Sequence, residues 1–117
     1  MSKEEATQHR RYNRASVELP VMYAAEGFTS ARPAKASDIG GGGLRLATEE
    51  DLPTGIAVEL RFALPNNGRE VFVRGRIVLS YFNAIEQLYA HGIAFTGIDP
   101  IDQESIVAFI ADIQRAK

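Results

Sequence analysis

Three arginines fall within five positions of this chain, Arg10, Arg11 and Arg14, with Tyr12 among them. An arginine fork pairs side-on with phosphate or with guanine O6 and N7, and its flat face stacks on rings. A basic run of this kind also serves as a plain solvated segment. Further along stands Asp38, then Ile39 and four consecutive glycines, Gly40, Gly41, Gly42 and Gly43. A carboxylate there is suited to accept from guanine N1–H and the exocyclic amine. Glycines admit positive φ and let another molecule approach the backbone. Successive N–H groups in such a turn can form an anion-binding nest. An ordinary hairpin bend or a flexible linker has the same composition.

Other chemistry finds no anchor. The chain has no cysteine, which removes disulfides, thiol catalysis and Cys-based zinc sites together. His9 and His91 are the only histidines. His91 sits in a strand pattern and reads as a packed or surface residue rather than a general base. No H-E-x-x-H or G-x-S-x-G occurs, and no Gly-Lys-Ser/Thr follows the glycines. A dinucleotide fingerprint also fails, since its setting here is all-β. Glu49-Glu50-Asp51 is an acidic loop, read as solvated rather than metal-binding. The expectation is a protein that is not an enzyme and needs no cofactor.

The surrounding elements follow from hydrophobic periodicity. Val17, Leu19, Val21 and Tyr23 alternate with polar or small residues, which predicts a strand with one buried face. Pro20 places that strand at an edge or leaves it partly unpaired. A second strand is expected over 29–39, ended by the glycine run, and a third starts at Leu44 and Leu46. Ile56, Val58, Leu60, Phe62 and Leu64 give the cleanest alternation, closed by a Pro65-Asn66-Asn67-Gly68 hairpin turn. Val71, Val73, Gly75, Ile77, Leu79 and Tyr81 are expected on one face of a long fifth strand, with Arg74 and Arg76 on the other. Gly75 marks a bulge or bend there. Leu88 to Thr96 forms the sixth strand, with Tyr89, His91, Ile93 and Phe95 on one side.

The period then changes to helical. Asp99 suits an N-cap, Pro100 the first helical position, and Asp102 and Glu104 the positive helix start. Ile106, Phe109, Ile110 and Ile113 form an apolar stripe that predicts a helix covering an opening in the sheet. The expected fold is all-β with a C-terminal helix: a six-stranded antiparallel β-barrel capped by one α-helix. Residues 1–8 are polar and read as a flexible tail, with the domain over 9–117.

The length of 117 residues fits one domain, and 45% hydrophobic with 24% charged residues is an ordinary globular composition. Thirteen basic against fifteen acidic side chains give a net charge of −2, which disfavours a nucleic-acid polymer as partner. A single-stranded nucleic-acid binder would want exposed aromatics along a basic groove, whereas Arg45, Arg61, Arg74 and Arg76 are scattered among acids. No signal peptide or membrane span is visible, and a cytoplasmic location is expected.

Arg10-x-x-x-Arg14, followed by Asp38-Ile39-Gly40-Gly41-Gly42-Gly43, resembles the paired signature of PilZ domains, R-x-x-x-R and D/N-x-S/A-x-x-G. Leu44-Arg45-Leu46, the long fifth strand, Gly92-Ile93-Ala94-Phe95 and the C-terminal helix are also similar to that family. The resemblance covers nearly the whole chain after residue 8. It implies a bacterial receptor for cyclic di-GMP, often bound as an intercalated dimer, with the arginine segment wrapping over the barrel on binding. It implicates Arg10 and Arg14 as principal ligand residues, with Arg11 between them. Asp38 would take a guanine edge, and Gly43 would hold the family's final glycine position. Gly40 departs from the pattern, standing where Ser or Ala is usual. The implied partners are cyclic di-GMP and an effector protein, and the implied state is a monomer or a ligand-dependent dimer. The alternative is a ligand-independent PilZ-like interaction module.

Overall fold

The computed structural model describes residues 12–28 and 30–116. The tail expected over residues 1–8 lies outside them. Six strands follow in order: β1 (Arg14–Ala25), β2 (Arg32–Gly40), β3 (Gly43–Thr48), β4 (Ala57–Ala63), β5 (Glu70–Asn83) and β6 (Leu88–Ile98). One helix, α1 (Pro100–Arg115), ends the described chain. All strand pairings are antiparallel, and the sheet closes in the order β1-β2-β3-β6-β5-β4, with β4 returning to β1. The architecture is the expected six-stranded antiparallel barrel with a C-terminal helix. Closure removes the sheet edges that an open sheet of this length would expose.

Alternation sets which side chains fill the barrel. In β4, Val58, Leu60 and Phe62 point inward while Glu59 and Arg61 face water. They meet Leu19, Val21 and Tyr23 from β1, Ile39 from β2, Leu44 and Leu46 from β3, Ile77 from β5 and Ile93 from β6. Burying one such aliphatic side chain is worth about 1.5–3 kcal/mol relative to leaving it in water. Pro20 has no N–H to give, and it lies where β1 is laddered on one side only. It pairs with Lys35 of β2, whereas β4 joins β1 only from Met22 to Ala25. The partial unpairing expected from Pro20 is what the register shows.

The fifth strand departs from expectation. Val71, Val73 and Ile77 are buried as read, but Leu79 and Tyr81 are not on their face. The register slips between Ile77 and Leu79, so Val78 is an extra residue against β6. A bulge of this kind reverses the alternation beyond it. Leu79 and Tyr81 therefore turn outward, and Ser80 turns inward. A second slip lies beside Gly75, as its type suggested, but the extra residue is Thr96 on the facing strand.

Helix α1 closes one side of the barrel. The Asp99 side chain caps it, accepting from the Ile101 N–H at 2.8 Å, and Pro100 opens its first turn. Ile106, Phe109 and Ile110 are buried, and Ile113 packs partly against the core. Asp102 does more than favour the helix start. It is buried, and Arg69 Nε donates to it at 2.8 Å, which pins α1 to the β4–β5 turn. No helix among the described residues is long and apolar enough to cross a membrane.

Candidate ligand-binding site

The glycine run forms the turn of a tight hairpin. Gly40 faces Gly43, Ile39 faces Leu44, and Asp38 faces Arg45, leaving Gly41 and Gly42 as the two-residue connection. The start of β1 lies alongside, with Arg14 opposite Gly40. This placement brings two of the expected ligand residues into contact. Arg14 Nε donates to Asp38 Oδ1 at 3.0 Å, and Arg14 Nη2 donates to the same oxygen. Their side chains are 24% and 27% exposed. An ion pair so placed, part-buried but still reached by water, is worth on the order of 1 kcal/mol. It orients the two groups without deciding whether the barrel folds. Arg10 and Arg11 lie outside the described residues.

Arg45 is the residue that sequence reasoning passes over. Its Nε stands 3.8 Å from Asp38 Oδ2, and its Nη1 donates to the Tyr81 hydroxyl at 2.8 Å. A signal for it was present. A two-residue connection between Gly40 and Gly43 places residue 45 directly opposite residue 38.

The four glycines serve one of the two purposes expected of them. None has φ in the left-handed range. What they supply is space. A Cβ on Gly40 would come within 2.9 Å of both Arg14 Cγ and the Asn13 carbonyl oxygen. One on Gly41 would stand 2.7 Å from the Tyr12 ring, and one on Gly43 would collide with the Ile93 carbonyl oxygen. Gly42 alone has ordinary room, with the Tyr12 ring at 3.5 Å. The departure at Gly40 therefore has a physical reason, because residues 13 and 14 pack too closely for a side chain there. Tyr12 is a second residue whose position the sequence does not disclose: its ring lies against the turn. Gln103 Nε2 of α1 donates to the Gly41 carbonyl at 3.0 Å, tying the turn to the helix.

A recess of about 800 Å³ opens beside this face, reaching Ser37 and Ala47 and lined further on by Glu18, Glu49, Glu50 and Glu86 against Arg32 and Lys35. That balance is unsuited to an anionic ligand, and neither Arg14 nor Asp38 reaches it. Glu50 is held there by the Tyr23 hydroxyl and, at 3.4 Å, by Arg32 Nε. Burial and this hydrogen bond raise the Tyr23 pKa well above its ordinary value of 10.0.

His91 is fully buried, as a packed residue and not a base in an open site. Its Nε2 lies 2.9 Å from Thr48 Oγ1 and its Nδ1 2.8 Å from Ser80 Oγ. Burial lowers its pKa below the ordinary 6.5. Below that pH the unfolded chain takes up a proton that the folded barrel refuses. Stability should therefore fall as pH drops from 6.5 toward the depressed folded value. Above 6.5 this group adds no slope. Chemical denaturation of wild type and His91→Gln across this range checks it. The wild type should lose stability more steeply on acidification, and equal slopes would contradict the assignment.

The structure is thus a closed six-stranded barrel with an arginine–carboxylate pair on its outer face. The chain belongs to the PilZ domain family, whose profile matches residues 8–112. No curated protein sequence matches it. Among solved structures, it is similar to the inhibitor of motility MotI/DgrA of Bacillus subtilis, at TM-score 0.83 and 17% identity, over 92% of this chain and 52% of that one. It is also similar to YcgR of Escherichia coli in complex with c-di-GMP, at TM-score 0.74 and 16% identity, over 92% and 46% of the two chains. The PilZ domain of CeSA from a cellulose-synthesizing bacterium matches at TM-score 0.64 and 16% identity, over 87% and 98%. At these identities the likeness is one of fold. The chain spans about half the length of MotI/DgrA and YcgR.

Proposed function

We propose that this chain is a receptor for cyclic di-GMP and acts without catalysis, as an adaptor. The observation that carries the reading is the Arg14–Asp38 pair on the open face of a PilZ barrel. Asp38 suits a guanine Watson–Crick edge, and Arg14 suits phosphate or the guanine O6/N7 edge. Arg10, at the other end of the R-x-x-x-R motif, is the second principal ligand residue in this reading, and Arg11 adds charge for the phosphates. Gly40 to Gly43 keep the turn bare so that Tyr12, Asn13 and the ligand approach the backbone closely. That YcgR is a family structure holding c-di-GMP supports the choice of ligand. Occupation of this face would change the surface offered to an effector protein, and that change is the output.

A thermal-shift panel tests the selectivity. A ligand that binds only the folded state raises the melting midpoint, and the rise grows with the logarithm of its concentration above Kd. Cyclic di-GMP should raise it, while cyclic di-AMP, GTP and a short single-stranded oligonucleotide leave it in place. An equal rise with cyclic di-AMP would contradict guanine recognition by Asp38.

A further inference from the structure

Asp38 presents its two oxygens differently. Oδ1 is occupied by Arg14, whereas Oδ2 accepts no hydrogen bond among the described residues. Beside Oδ2, at 3.8 Å, stands Arg45 Nε. That separation exceeds hydrogen-bond length, so the two groups lie side by side rather than bonded. The result is an acceptor and a donor next to each other on an open face. A guanine edge carries the complementary order, with N1–H as donor and O6 as acceptor on adjacent ring atoms. Adenine reverses it, with a bare N1 and an amine.

The Arg45 guanidinium is also held in place. Its Nη1 donates to the Tyr81 hydroxyl, and this is its only hydrogen bond among the described residues. To reach Tyr81 on β5 it must cross β6, and the β6 residue in register with Arg45 is Gly92, which has no side chain in the way. Tyr81 faces outward only because the Val78 bulge turned it there. Two backbone features thus aim one arginine along the row from Asp38.

We infer that Arg45 is a third ligand arginine and a determinant of base specificity, donating to guanine O6 while Asp38 Oδ2 accepts from N1–H. Tyr81 is the positioning residue that holds it. The inference rests on the receptor reading and deepens it. Neither motif of the family contains this position.

Calorimetric titration of wild type, Arg45→Ala and Tyr81→Phe with cyclic di-GMP and with cyclic di-IMP tests it. The inosine analogue keeps N1–H and O6 but lacks the exocyclic amine. Arg45→Ala should weaken both ligands roughly tenfold, the scale of one hydrogen bond to a charged group. Tyr81→Phe should weaken them less, and Arg45→Gln, which keeps an N–H donor, should recover part of the loss. The ligand-free melting midpoint should stay unchanged, which a merely structural role for Arg45 would not allow. Wild-type affinity in Arg45→Ala overturns the assignment and leaves the receptor reading intact. Rejection of cyclic di-IMP by wild type overturns it as well, because recognition then lies at the amine. Failure of wild type to bind cyclic di-GMP removes the receptor reading and this one with it.

Discussion

Arg14→Ala is expected to weaken cyclic di-GMP binding by about 1–3 kcal/mol, roughly five- to 150-fold in Kd, the range for one bidentate arginine–guanine pair. Two losses combine. The ligand forfeits a charge-assisted donor, and Asp38 forfeits the partner that orients Oδ2 outward. Fold stability should hardly move. The pair is about a quarter exposed on each side, and a pair that water still reaches contributes on the order of 1 kcal/mol. This separation makes the variant informative, since it stays folded while the site is impaired. Calorimetry alongside a denaturation curve checks both halves. Unchanged affinity would remove Arg14 from the site, and a large drop in stability would show that the ion pair is a fold determinant after all.

Gly43→Ala is expected to act in the opposite sense, on the barrel rather than on the ligand. Gly43 pairs with Gly40 on one side and with Ala94 on the other. Its φ is not in the left-handed range, so backbone preference is not the issue. The obstacle is the Ile93 carbonyl oxygen, which a new methyl would strike. A backbone oxygen cannot swing aside as a side chain can, so β3 and β6 must part at this point. Overpacking of this kind costs about 1–3 kcal/mol and occasionally more. Urea denaturation should show the loss in its midpoint. Gly42→Ala is the control, because its methyl meets only the Tyr12 ring at 3.5 Å. Equal stability losses in the two variants would contradict the space argument.

Much of this fold is legible in the sequence, because period-two alternation, turn residues and helix caps act locally. β4 with its Asn67-Gly68 turn and α1 with its Asp99 cap are such cases. Closure of the barrel also follows, since six strands with one apolar face each need a common interior. What escaped was register. The bulge at Val78 depends on how β5 and β6 align, and no local pattern marks it. Leu79 and Tyr81 therefore read as core and stand outside. The same holds for Asp102, whose burial depends on Arg69 from a distant turn.

The site divides along the same line. Arg14 and Asp38 are legible through their residue types and motif spacing, and the structure places them in contact. The sequence leaves two uses of the glycines open, because composition does not distinguish a need for positive φ from a need for space. Only the packing of Tyr12, Asn13 and Ile93 against the turn decides between them. Arg45 looks like one more surface arginine until the hairpin register sets it across from Asp38.

The most direct measurement is a calorimetric titration of the full chain with cyclic di-GMP. The receptor reading predicts saturable binding that reports a stoichiometry of one ligand or an intercalated pair per chain, and that is weakened in Arg14→Ala. Absence of heat together with an unmoved melting midpoint would contradict it, and would leave a PilZ barrel that works as a ligand-independent interaction module.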